Sequence, residues 1–227
     1  MREITKAESL KQQIYSLLKQ EILNQQYGEE DILNERKISE ELKVSRTPVR
    51  EALKALEAES LVEYVPYKGI IVKKMKEKDL KNIFQIRTAL EVLAVELAIE
   101  NRTAESVALL AESHQQQQNV LAKQSVPVKA VFIDLDIEFH RILLKMADNE
   151  LLTIMIGNIR DQIRRFGMNA IFSGESRYTE TLEEHLGILR AVQANDVELA
   201  KEKMRFHMQK TYKSAYAYLT SLRNNSK

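Results

Sequence analysis

Val49, Ala52, Leu53 and Leu56 recur at three- and four-residue spacing, while Arg46, Thr47, Arg50 and Lys54 fall on a separate polar face. At about 100° per residue this pattern predicts an amphipathic helix with one face packed and the other free. Ser45 or Thr47 can cap it by accepting a bond from a free N–H, and Pro48 falls in the first turn, where its missing donor is not needed. Upstream, Asn34 can cap a shorter helix carrying Ile38 and Leu42 four residues apart, with Lys43-Val44-Ser45 as a tight connection. Two short helices in this order predict a helix-turn-helix. Leu61 to Val65 and Ile70 to Lys73 are short β-branched runs separated by Pro66-Tyr67-Lys68-Gly69, which predicts a hairpin, here a wing.

From about residue 77 the pattern changes to long helical periods. Helices are expected near 77–101, 104–123, 128–147, 150–171, 176–194 and 196–222. Asn101-Arg102-Thr103, Ser125-Val126-Pro127, Asp148-Asn149, Ser173-Gly174 and Asn195-Asp196 punctuate them. The glutamine run Gln115 to Gln118 reads as a solvated helix face. The expected fold is mainly α: a winged helix-turn-helix over residues 1–75 and an all-helical antiparallel bundle over 76–227, with Lys76-Glu77-Lys78-Asp79 as the polar junction.

Composition narrows the function. At 227 residues and 44% hydrophobic content, two modest domains can each bury a core. The absence of cysteine excludes disulfides, thiolate metal sites and cysteine nucleophiles. The N-terminus lacks the apolar run of a signal peptide, and no stretch approaches the roughly 20 apolar residues of a membrane span, so a cytoplasmic protein with no membrane partner is expected. Residues 1–75 hold 13 Lys+Arg against 13 Asp+Glu, and the remainder 21 against 20. Any affinity for DNA must therefore come from local clustering, and Arg46 and Arg50, one helical turn apart, are the obvious cluster.

Ser45-Arg46-Thr47-Pro48-Val49-Arg50-Glu51-Ala52-Leu53 matches the central motif of GntR-family bacterial transcription regulators, and residues 10–75 resemble their winged helix-turn-helix. Carried over, the resemblance implies that Arg36, Arg46 and Arg50 contact DNA, with Thr47 assisting and Lys68 and Gly69 at the wing tip. Lys43 and Ser60 stand where glycine is common in that family, a departure that bears on turn geometry.

In the helical half, Asp136 and His140 are spaced i, i+4 and can point at one place. Asp136-Ile137-Glu138-Phe139-His140, Glu184-His185-Leu186-Gly187-Ile188-Leu189 and Phe206-His207 resemble the FCD effector domain of the FadR subgroup, in its six-helix, VanR-like form. That resemblance implies a metal site at Asp136, His140, His185 and His207, leaving His114 outside. One carboxylate and three imidazoles suit a divalent ion such as Zn, Ni or Mn without choosing among them. Arg87 and Glu91, also i, i+4, read either as an effector clamp, Arg87 gripping a carboxylate in a two-pronged bond, or as a plain intrahelical ion pair. Arg164 and Arg165 are further candidates for the effector pocket.

The reading that unites these features is a ligand-responsive DNA-binding regulator, a repressor of metabolic genes. It acts as a homodimer on an operator with two-fold-related half-sites and answers to a small carboxylate effector. The competing readings are a metal-dependent hydrolase, with Glu138 or Glu184 as base, and a DNA-binding dimer that takes no effector. The hydrolase is disfavoured because the chain has no His-Glu-x-x-His motif, no phosphate-cradling glycine loop and no nucleophile elbow.

Overall fold

The structure, a computed structural model, describes residues 8–123, 128–164 and 176–224. It divides into two compact units, Met1–Lys76 with Arg160–Gly167, and Glu77–Ile159 with Met168–Lys227. The first boundary lies one residue beyond the expected one. The assignment of the end of a later helix to the first unit has no counterpart in the sequence pattern.

The first unit contains α1 (Leu10–Leu23), α2 (Glu35–Glu41), α3 (Arg46–Ala58) and the strands β1 (Val62–Val65) and β2 (Gly69–Val72). Val49, Ala52, Leu53 and Leu56 on α3 are completely buried and meet Ile14, Leu18 and Ile22 of α1, a helix the sequence reading did not single out. Asn34 caps α2, its side-chain oxygen accepting from the N–H groups of Arg36 and Lys37. Ser45 occupies the N-cap of α3 but makes no side-chain capping bond. Its expected role is thus reduced to the extended backbone that starts the helix.

The two positions where glycine is common in the resembled family are telling. Lys43 and Ser60 both take left-handed backbone, at φ 54° and 59°. Each sits just past a helix end and closes a paired-bond turn: Val44 N–H to Ser39 O with Lys43 N–H to Glu40 O, and Leu61 N–H to Leu56 O with Ser60 N–H to Glu57 O. The bonds satisfy the last carbonyls of α2 and α3 and outweigh the steric cost of a Cβ in this region.

β1 and β2 pair antiparallel in the register Val62↔Val72 and Val65↔Gly69, so Gly69 belongs to the strand rather than to the turn, which is Pro66-Tyr67-Lys68. Ile32 adds a bridge to Ile71, and the bonds of Glu30 and Leu33 N–H to Val72 and Ile70 O give the wing a third edge that the sequence pattern did not show.

The second unit contains α4 (Glu77–Glu100), α5 (Ala104–Lys123), α6 (Val128–Ala147), α8 (Ser176–Gln193), α9 (Val197–Asn224) and the part of α7 (Glu150–Arg164) that precedes Arg160. The starts agree with the expected helices to within a residue. The expected breaks at 125–127 and 173–174, and the stretch of helix expected over 165–171, lie outside the described residues. Thr103, Asn149 and Asp196 supply the caps, accepting from the N–H groups of Ser106, Leu152 and Leu199.

The packing is a closed ring: α4 lies against α6, α6 against α5, α5 against α8, α8 against α9, and α9 against α4. Five of the expected six helices make the ring. Phe132, Phe139, Leu143, Ile188, Met204 and Met208 are among the side chains buried in this unit. Any polar group aimed at the axis of such a ring is surrounded on all sides by helix, and that is where the chemistry is found.

Candidate nucleic-acid interface and metal centre

In the first unit α2, α3 and the wing enclose a concave surface of about 650 Å³, lined by Arg36, Arg46, Arg50, Lys54, Lys68 and Gly69 among others. Five cations thus share one surface, although the charges of residues 1–75 cancel, and Glu35 and Glu57 are the acids that line it. Thr47 is exposed on α3 but does not line this surface. Arg50 is held by Glu35 through two bonds, Nη2–Oε1 at 2.7 Å and Nε–Oε2 at 3.0 Å. Arg36 pairs with Glu40 at 2.8 Å on one face of α2.

In the second unit one ligand atom each from Asp136, His140, His185 and His207 lies within 4.8 Å of the others, and all four residues are buried. The geometry follows from the ring, with α6 supplying Asp136 and His140, α8 His185 and α9 His207. The two remaining ring helices orient the imidazoles. Glu91 of α4 faces His140 Nδ1 at 3.1 Å, and Gln117 of α5 faces His185 Nδ1 at 2.9 Å. Glu184 of α8 faces His207 Nδ1 at 2.7 Å.

These partners fix the tautomers. The Gln117 amide N–H donates to Leu135 O, which turns its oxygen toward His185. An acceptor at each Nδ1 calls for a proton there, so the lone pair of each ring resides on Nε2. His140 Nε2 and His207 Nε2 stand 3.2 Å apart, and His185 Nε2 lies 3.5 Å from Asp136 Oδ1 with no hydrogen bond of its own. Such nitrogens repel one another unless a cation comes between them.

Two of the three rings resist protonation. Burial holds His185 well below the ordinary histidine range, with the charges of His207 and His140 adding to it. Burial also lowers His207, against the opposing pull of Glu184. Neutral imidazoles with oriented Nε2 groups are what a divalent ion takes, and separations near 3 Å are about what two donors roughly 2.1 Å from one ion show. The residues therefore fit a metal.

The carboxylates are themselves anchored. Glu184 receives both Nη groups of Arg177 at 2.8 Å, and Arg177 also donates to Thr211 Oγ1 at 3.1 Å. Burial would raise Glu184, but His207 and Arg177 outweigh it and hold the carboxyl below its ordinary value. Glu91 receives Arg87 Nε at 3.4 Å on its other oxygen. Two Arg–Glu–His chains thus converge on the site, one from α4 and one from within α8 and α9.

Several sequence expectations change here. Gln117, placed by the sequence reading on a solvated face, is completely buried and orients His185. A signal existed: Leu110, Ser113, His114 and Gln117 follow the i, i+3, i+4, i+7 pattern and are all buried. Glu91, grouped with the effector, has its two oxygens on Arg87 and His140. Arg164 is not brought to the histidines: it groups with the first unit and donates to Asn24 Oδ1 at 3.2 Å. Arg165 lies outside the described residues. Glu184 is tied to Arg177 and His207, and Glu138 to Arg141 at 2.6 Å, so neither is a free base. His114 stands apart, facing Leu182 O at 3.1 Å.

A winged helix-turn-helix followed by a helical ring around a histidine cluster defines a class of bacterial transcription regulators. The chain belongs to the gntR family of bacterial regulatory proteins, whose model matches residues 10–72, and the FCD domain matches residues 82–210. It is 30% identical over 210 residues to the HTH-type transcriptional regulator YdfH of Escherichia coli O6:H1, across 89% of this chain and 87% of that protein. It is 28% identical over 219 residues to the HTH-type transcriptional repressor RspR of Escherichia coli K12, across 93% and 91%. Among solved structures, E. coli McbR/YncC has the same fold at a TM-score of 0.70 and 24% identity, covering 97% of this chain and 100% of that one. The protein is a transcription regulator. No helix among the described residues is long and apolar enough to cross a membrane.

Proposed function

We propose that this regulator represses metabolic genes by binding a two-fold-related operator as a homodimer, and that a small carboxylate effector, received beside a divalent metal, controls it. The observation that carries the reading is the pairing of three Nδ1-anchored imidazoles and one carboxylate in a buried ring centre. Asp136, His140, His185 and His207 would hold the ion, whether Zn, Ni or Mn. When bound, it supplies a positive centre that attracts an anionic ligand. Arg87, one bond removed from His140 through Glu91, is the cation proposed to meet the effector carboxylate, while Glu91 keeps the imidazole oriented. The effector alters DNA affinity only through unequal affinity for the DNA-competent and incompetent states. Repression is the mode of the similar repressor RspR.

On the other unit, Arg36, Arg46, Thr47, Arg50, Lys68 and Gly69 are the proposed DNA contacts, and the concave cationic surface supports all of them but Thr47. Two measurements test the reading. Protein stripped by a chelator should gain about 2.7 kcal/mol of stability at a metal concentration one hundred times the dissociation constant. No gain with Zn, Ni or Mn removes the metal from the account. On a duplex selected from random DNA, Arg46→Ala or Arg50→Ala should weaken binding about 5- to 150-fold. Wild-type affinity in both variants would sink the contact assignment.

A further inference from the structure

The Arg50–Glu35 pair is arranged in a way that simple neutralisation does not require. A guanidinium offers two edges on which a planar acceptor can form two parallel bonds: the side edge, Nε with Nη2, and the end edge, Nη1 with Nη2. Glu35 occupies the side edge with both carboxylate oxygens. Among the described residues nothing takes Nη1 or the second Nη2 hydrogen, and the Arg50 side chain is 58% exposed where Glu35 is only 25% exposed. Glu35 is the first residue of α2, whose start Asn34 caps, and a carboxylate there is favoured by the positive end of the helix. Arg46, one turn before Arg50 on the same helix, has no side-chain partner among the described residues.

We propose that Glu35 is a positioning residue for DNA readout: by taking the side edge of Arg50 it holds the end edge ready as the two-pronged donor that reads a guanine. The end edge matches the two adjacent acceptors that guanine shows in the major groove, and it can do so without releasing Glu35. A negative charge on the DNA-facing surface lowers affinity for any phosphate, so its benefit lies in discrimination. The proposal rests on Arg50 contacting DNA, as proposed above.

The test uses the full-length protein, a duplex selected from random DNA, its single-position variants, and sheared genomic DNA as the non-specific probe. Glu35→Ala should weaken binding to the selected duplex about two- to tenfold, the cost of ordering one freed side chain on binding. Binding to sheared DNA should hold or strengthen, with the salt dependence steepened by roughly 0.9 as Arg50 turns to phosphate. The ratio of the two affinities therefore falls, and falls less in Glu35→Gln, whose amide oxygen keeps one of the two bonds. In an Arg50→Ala background, Glu35→Ala should change the ratio no further. Loss of fold would lower both affinities together, so the ratio isolates positioning.

A Glu35→Ala protein that binds both DNAs more tightly with its ratio intact would overturn the proposal, since Glu35 would then only repel phosphate. So would a ratio that falls equally with and without Arg50. If Arg50→Ala itself binds the selected duplex like wild type, the reading beneath the proposal fails instead.

Discussion

The cationic surface of the first unit and the histidine centre of the second solve opposite electrostatic problems. On α2 and α3 the charges stand in water, where an ion pair has little energetic weight, and the role proposed for Glu35 is to aim Arg50. Within the ring the charges are buried, and each carboxylate is required to keep its neighbours compensated. On that proposal the same residue pair, arginine with glutamate, serves readout in one unit and structural integrity in the other.

The sharpest test of that contrast is Glu184→Ala. It strips the partner from Arg177, which is almost fully buried, and from His207 at once. Breaking one side of a buried pair costs about 3–5 kcal/mol. Chemical denaturation of the metal-free protein should show that loss, whereas Glu35→Ala should stay within about 0.5 kcal/mol of wild type. The pair has a pH signature too. Because the folded carboxyl of Glu184 sits below its ordinary value of 4.5, its contribution is full above that pH and is lost as acid drives it through the folded value. Equal stability of Glu184→Ala and wild type at neutral pH would end the distinction between the two units.

A smaller effect separates orientation from charge inside the ring. Gln117→Ala removes a neutral acceptor, so no buried charge is stranded, yet His185 loses the bond that sets its tautomer. Metal affinity should drop about 10- to 100-fold, a typical cost for such an outer partner, as read by titration of stripped protein. If affinity is unchanged, the ring packing alone positions His185, whose imidazole stacks on Phe139 with centroids 4.1 Å apart.

Gln117 also shows where sequence reading stops. The α3 stripe is legible because burial there repeats with the helix and the motif supplies the polar face. The four candidate metal ligands are legible by resemblance, two of them also by i, i+4 spacing. Their orienting partners are not, because Glu91, Gln117 and Glu184 acquire a role only when α4 packs on α6, α5 on α8 and α8 on α9, and one glutamine in a run of four looks like its neighbours. The third edge of the wing, at Ile32, and the grouping of the end of α7 with the first unit are likewise products of tertiary contact.

The smallest expected effect sharpens the comparison within the DNA-facing surface itself. Glu40 pairs with Arg36 through a single Nε bond between two well-exposed side chains, and it does not line the concave surface as Glu35 does. A single exposed bond neither fixes the plane of the guanidinium nor selects its end edge. Glu40→Ala should therefore shift stability by no more than about 0.5 kcal/mol. It should also strengthen binding to selected and sheared DNA by the same small factor, because one repelling charge has gone and no aimed donor has been lost. Parallel binding curves for the two DNAs are the expected result. A fall in discrimination as large as that of Glu35→Ala would mean that any carboxylate near an arginine tunes readout here, and that the two-bond geometry at Arg50 has no special part in it.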